Sequence, residues 1–235
     1  MLITCSLMAP VMQSSSQSLV AVHRINTGSN VFILEGREKL VLVDAGYPGN
    51  GRKICRQIEK LAPKKLSLIF VTHAHFDHYG CADYIRKATG APVGIHELDA
   101  PTMAAGKTPI PLVKSWGRAG KLLFPLGMKV WKTEPTSADM TFIEGDRLDA
   151  YGISAQVIHT PGHTDGAASL LVDDSVLFAG DLVVSVLHIG KQCYFATSWE
   201  AIDSSISKLK QLAPHRTFPG HGAAEISREE LMEFK

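Results

Sequence analysis

Reactive side chains gather first in one run, His73-Ala74-His75-Phe76-Asp77-His78, which sets three imidazoles and a carboxylate close together. Three more such groups stand far along the chain, each beside a glycine or proline: His163 in Thr160-Pro161-Gly162-His163, Asp181 in Ala179-Gly180-Asp181, and His221 in Pro219-Gly220-His221-Gly222. Neutral imidazole and carboxylate are the ligand set of zinc and of non-haem iron or manganese. The H-x-H-x-D-H spacing has a physical reading. Where a strand runs out into a loop, His73 and His75 alternate onto one face and can hold one ion. Asp77 and His78, on the turn into the next helix, are displaced toward a second. The neighbouring Gly162, Gly180, Gly220 and Gly222 let the backbone bend and bring each remote side chain inward. The chain has ten histidines, so one or two near a glycine prove nothing. His23, His96, His188 and His215 lack such a context, and His159 is expected to pack at a strand end.

The elements that must position these groups follow from apolar periodicity. Short β-branched runs at Leu19–Ile25, Asn30–Glu35 and Leu40–Asp44, separated by glycine-containing turns, read as strands. Arg52–Leu61 places Ile54, Ile58 and Leu61 on one helical face and stops before Pro63. Leu66–Thr72 is nearly continuous in apolar character, as in a strand covered on both sides. A helix at Ala82–Thr89 and a strand at Pro92–His96 follow, so the histidine run sits at the carboxyl end of a central strand, where open α/β sheets bind ligands. Strands resume at Thr141–Glu144, Ile153–His159, Ser169–Val172 and Val176–Ala179, the last two joined by an Asp173-Asp174 hairpin turn. Thr197-x-x-Glu200 reads as a capping box opening a helix at 201–212, and a short strand, Arg216–Phe218, delivers His221. The expected organisation is a flexible arm over 1–18 and one domain over 19–235, with a proline-rich, partly helical insertion at about 97–139 lying over the sheet as a lid or substrate wall.

Bulk composition narrows the function. In 235 residues, 45% are apolar and 20% charged, and the net charge is +1. This is an ordinary globular balance with no basic surface excess, so nucleic acid is not an expected partner. Cys5, Cys55, Cys81 and Cys193 form no C-x-x-C pair and read as free thiols. Met1–Met12 is apolar, but no Lys or Arg precedes Arg24 and the run is far short of the ~20 residues that span a bilayer. The expectation is therefore a cytoplasmic protein without membrane attachment, acting on a small molecule; a homodimer is the assembly considered.

The ordered set Thr-His-Ala-His-Phe-Asp-His, Pro-Gly-His-Thr, Ala-Gly-Asp and Gly-His-Gly resembles the metallo-β-lactamase superfamily over about residues 19–225. The resemblance implies an α/β fold of four layers, an αββα sandwich of two mixed β-sheets flanked by helices with the metals at one edge. It also implies that His73, His75 and His163 bind one metal, that Asp77, His78 and His221 bind the other, and that Asp181 bridges both. Asp44 in Val41-Leu42-Val43-Asp44-Ala45-Gly46 matches the family's carboxylate that orients a ligand histidine; on the sequence alone it could equally be a turn or cap residue after a strand. The implied cofactors are two divalent metal ions, zinc first, with iron or manganese as alternatives.

The implied chemistry is hydrolysis of a carbonyl compound (thioester, lactone or other ester, or β-lactam) by a metal-bridging hydroxide, with Asp77 orienting it and shuttling its proton. No Ser or Cys sits in a nucleophile-elbow setting. The full ligand set is more similar to glyoxalase II-like thioesterases and lactonases than to many β-lactamases proper. Two departures keep the substrate open. The C-terminal helical domain with which typical glyoxalase II holds glutathione is not expected here, and the tyrosine that quorum-quenching lactonases carry three residues after the bridging Asp is Val184, with Tyr194 or Tyr79 as conceivable substitutes. Leu112, Trp116, Leu122, Leu123, Phe124 and Trp131 of the insertion would suit an apolar acyl or ring-bearing substrate, or form the insertion's own core. An iron-dependent oxidoreductase, or a phosphodiesterase or nuclease, on the same fold is the alternative.

Overall fold

The computed structural model describes residues 20–109, 112–113, 133–186, 188–222 and 225–235. The expected arm at 1–18 lies outside them, as do Trp116, Leu122, Leu123, Phe124 and Trp131 of the insertion.

Strand alternation builds the layers. The first sheet contains β1 (Ala21–Asn26), β2 (Asn30–Glu35), β3 (Lys39–Val43), β4 (Lys65–Val71), β5 (Val93–His96) and β7 (Met140–Phe142), in that spatial order. Its first three strands pair antiparallel and the rest parallel. Because side chains alternate along a strand, Val31, Ile33, Leu40, Leu42, Ile69 and Val71 face outward and pack with Ile54, Ile58, Ala82 and Ile85. Those four lie on the helices α1 (Gly51–Glu59) and α3 (Ala82–Thr89). The intervening residues Phe32, Leu34, Val41, Val43, Leu68 and Phe70 face inward.

They meet the second sheet, which contains β8 (Ala155–His159), β9 (Ala168–Val172), β10 (Val176–Phe178), β14 (Arg216–Phe218) and β16 (Ile226–Ser227). Val157, Leu170, Val172, Val176, Phe178 and Phe218 fill the space between the sheets. Phe32 sits edge-on to Phe178 at 5.0 Å, an arrangement favoured by the ring quadrupole. On the outer face, Ile158, Leu171 and Leu177 pack against Ile202, Ile206 and Leu209 of α5 (Trp199–Leu212) and Leu231 of α6 (Arg228–Glu233). The result is the expected four-layer αββα sandwich. Two small sheets complete it: β11 (Val183–Ser185) between β12 (Gly190–Lys191) and β15 (His221–Gly222), and β6 (Leu112–Val113) with β13 (Phe195–Ala196). Among the described residues, no helix is long and apolar enough to cross a membrane.

Most expected elements are present within one or two residues of their limits. The Asp173-Asp174 turn has both residues at left-handed φ (48° and 51°), and with Ser175 it makes the three-residue loop between the paired Val172 and Val176. One reading is corrected. The α5 helix is capped by Ser198, whose hydroxyl accepts from the Ala201 amide, and not by Thr197. Thr197 is committed elsewhere, its hydroxyl donating to Asp165 at 2.9 Å.

Candidate metal centre

Both sheets deliver ligand-type side chains to one edge of the sandwich. His73 and His75 leave the end of β4, and the single-turn helix α2 (Phe76–Tyr79) carries Asp77 and His78. His163 lies between β8 and β9, Asp181 in a short 3₁₀ turn after β10 (Gly180–Leu182), and His221 opens β15. The structure brings these seven together in two groups. Donor atoms of His73, His75, His163 and Asp181 lie within 4.8 Å of one another, as do those of Asp77, His78 and His221. Asp181 connects the groups: Oδ2 is 3.5 Å from His163 Nε2 and 3.5 Å from His221 Nε2, and Oδ1 is 3.3 Å from His78 Nε2.

Each histidine is oriented by what its other nitrogen touches. His78 Nδ1 donates to Asp44 Oδ2 at 2.8 Å, His163 Nδ1 to the Phe195 carbonyl at 2.9 Å, and His221 Nδ1 to the Gly28 carbonyl at 3.2 Å. His73 Nδ1 is 3.0 Å from the Thr72 hydroxyl, which donates to Asp44 in turn. In all four, Nε2 is left facing the centre. His75 differs, presenting Nδ1 to His163 Nε2 at 2.9 Å.

Asp44 is therefore more than a turn residue. Its φ of 62° is a left-handed conformation that Asp tolerates, and it turns the carboxylate to accept from the Thr72 amide at 2.8 Å as well as from His78. One buried carboxylate thus steers a histidine in each group. Gly162, at φ 131°, passes within the backbone of α5: an added Cβ would lie 2.5 Å from the Ile202 nitrogen. At Gly220 the demand is for room, since a Cβ would meet Asp181 Oδ1 at 2.1 Å and His78 Cε1 at 2.9 Å.

Asp99 was not singled out by the sequence. It is buried and accepts from the Ala74 amide at 2.7 Å, the Thr164 hydroxyl at 2.8 Å and the Gly166 amide at 2.9 Å, tying the His73–His75 loop to the His163 loop. A lone Asp two residues into the insertion carries no local signal of that role. The remaining histidines stay outside the centre. His159 stacks on His96, with ring centroids 4.1 Å apart, and His23 pairs with Glu35. Tyr79 is buried with its hydroxyl donating to the Lys107 carbonyl, and Tyr194 lies 3.3 Å from His188. Tyr47, by contrast, packs against Gly28 and edge-on to Phe76; burial, then the Asp77 and Asp181 carboxylates, push its phenol up, placing the ring beside the centre.

The donor set fits a cation. His73 Nε2 and Asp181 Oδ1, both on the centre, are buried without a hydrogen-bond partner, an arrangement that is costly unless something positive meets them. Burial, and then neighbouring imidazoles, hold His73 well below the usual histidine range and His75 at about 3; burial also lowers His163. These three are neutral, the form that ligates metal. Burial opposes the Asp77 anion, yet His78 and His221 hold its pKa at about 2. Asp181 is likewise kept ionised, against burial, by His221 and His78. Against the same penalty, the carboxylates led by Asp181 raise His221 to about 9 and carry His78 well above its ordinary value.

This geometry has relatives. A family model for the metallo-beta-lactamase superfamily matches residues 24–221. The chain belongs to that superfamily. It is 32% identical over 201 residues to the probable metallo-hydrolase YflN of Bacillus subtilis, a match covering 77% of this chain and 75% of that protein. A solved structure of TTHA1623 in a di-iron-bound form superposes with TM-score 0.67 at 26% identity, covering 92% of this chain and 98% of that one. The B3 metallo-beta-lactamase BLEG-1 matches with TM-score 0.68 at 22% identity, covering 91% and 97%, which speaks for the fold alone. This superfamily member is a metal-dependent hydrolase by family, with His and Asp clusters suited to divalent metal.

Proposed function

We propose that the chain hydrolyses an activated carbonyl compound (a thioester, a lactone or other ester, or a β-lactam) at a two-metal centre. The observation that carries this reading is Asp181, whose carboxylate lies within 3.5 Å of histidines from both groups. His73, His75 and His163 would hold one divalent ion, Asp77, His78 and His221 the other, and Asp181 both. Ions bound there supply a water of lowered pKa and polarise the substrate carbonyl. Asp77, ionised at neutral pH and 3.0 Å from His221 Nε2, is the group to orient the attacking water and take up its proton. The burial of His73, His75, Asp77, His78, His163 and Asp181 limits bulk-water access, so their charges act in a low-dielectric setting.

Substrate preference is read from the strands beside the ligands. Val186 follows β11, the partner of the His221 strand, and Leu112 lies on β6, which pairs with the segment whose Phe195 carbonyl holds His163. Both side chains are exposed, and apolar groups on these strands favour an acyl or ring-bearing substrate. Zinc is the proposed occupant, with iron supported by the di-iron form of TTHA1623.

The test is a panel of thioesters, lactones, β-lactams and phosphodiesters, run on protein of measured metal content beside a dioxygen-uptake assay. Carbonyl hydrolysis that disappears on chelation and in His78→Ala supports the proposal. An iron-only protein that consumes oxygen, or turnover indifferent to chelation, overturns it.

A further inference from the structure

The turn between β1 and β2, with Asn30 at the start of β2, has no chemistry of its own, yet it reaches the centre at five points. The Asn30 amide donates to the Gly220 carbonyl at 2.7 Å. Asn30 Nδ2 donates to the carbonyls of Pro219 and Gly222, each at 2.9 Å, so the residue grips the chain on both sides of His221. The Gly28 carbonyl accepts from His221 Nδ1 at 3.2 Å, and the Ser29 hydroxyl donates to the Asp77 carbonyl at 2.5 Å. Among the described residues, none of the turn's hydrogen bonds reaches His73, His75 or His163.

We infer that Asn30, with Ser29 and Gly28, is a positioning device for one half of the centre, setting Asp77 and His221 and thereby the second metal position independently of the first. The residue type is demanded by the contacts. An amide nitrogen brings two hydrogens for two carbonyls, and Asn30 Oδ1 accepts from Arg24 Nε at 2.8 Å, so both donor hydrogens and the oxygen are engaged. An aspartate of the same shape would set oxygen against both carbonyls. The fold does not hang on this grip, because β15 also pairs with β11 and the backbone ladder of β1 with β2 is untouched.

This inference rests on the two-metal reading. The test loads the full chain with zinc and withdraws the metal stepwise with a chromophoric chelator, comparing wild type with Asn30→Asp and Ser29→Ala. His73→Ala identifies the step belonging to the other half. In Asn30→Asp, affinity for the ion of the Asp77/His221 half should fall at least tenfold, while the other stays within threefold. Ser29→Ala should weaken the same ion by a smaller factor. Equal weakening of both ions, or no change in a natively folded Asn30→Asp, overturns the inference; should that variant fail to fold, unchanged affinities in Ser29→Ala overturn it. A wild-type chain that holds fewer than two ions sinks the two-metal reading, and the positioning role with it.

Discussion

Asp44 Oδ2 accepts a 2.8 Å hydrogen bond from His78 Nδ1, and through the Thr72 hydroxyl the same carboxylate also reaches His73. One residue behind the centre therefore sets the ring planes of a histidine in each half.

Asp44→Asn tests this connection with little disturbance of the backbone, because Asn tolerates the left-handed φ of 62° as Asp does. Metal affinity should fall about 10–100-fold. Metal analysis after dialysis, with circular dichroism to confirm the fold, checks the outcome.

Asp99→Ala should be a stability variant. It leaves the Ala74 amide, the Thr164 hydroxyl and the Gly166 amide without their buried acceptor. A loss of about 3 kcal/mol in urea unfolding is expected, since orphaned buried donors cost on the order of 1–3 kcal/mol each and partial relaxation recovers some of it. A loss under about 0.5 kcal/mol would count against the role given to Asp99.

Gly220→Ala should fold and yet bind metal poorly. Its Cβ would displace the Asp181 carboxylate, which touches His163 in one half and His78 and His221 in the other, and crowd His78. Overpacking of this kind costs about 1–3 kcal/mol. Retention of two ions per chain at wild-type affinity would refute the prediction.

The stacked pair of His96 and His159 carries a pH signature of its own. Burial, and then His159, push His96 down to about 4 from an ordinary 6.5, against weaker pulls from Glu144 and Asp146. Between those values the unfolded chain binds a proton that the folded chain does not, so stability rises with pH. The contribution is complete above about pH 6.5 and is lost as pH falls toward 4, on the order of 1–2 kcal/mol. Unfolding curves of His96→Phe should show a shallower pH slope across this window than wild type.

Much of the sandwich was legible because both faces of its central strands are covered. Near-continuous apolar runs such as Leu66–Thr72 announce burial on two sides, and the structure divides them between the inner and outer layers. The seven candidate ligands were legible because their types and glycine-flanked positions recur in a recognisable order. What escaped was what acts through backbone. Asn30, Ser29 and Gly28 hold the centre by carbonyl and amide contacts across almost the whole chain, which no local pattern records. The helix start at Ser198 was missed for a related reason: adjacent Thr197 and Ser198 both suit a cap, and the contact of Thr197 with Asp165 decides between them.

The division of the inner core has a consequence for how the chain comes off the ribosome. Phe32, Leu34, Val41, Val43, Leu68 and Phe70 all belong to the first sheet, and the residues that cover them begin at Leu148 and run to Phe218. During synthesis from the N-terminus, the first five strands of that sheet can form their ladder well before their inner face has a cover, leaving an adhesive apolar surface exposed to other nascent chains. His221 emerges later still, so a complete set of ligands does not exist until this surface is sealed. A cation taken up at the full site is consequently a reporter of a finished sandwich, and never a template for starting one.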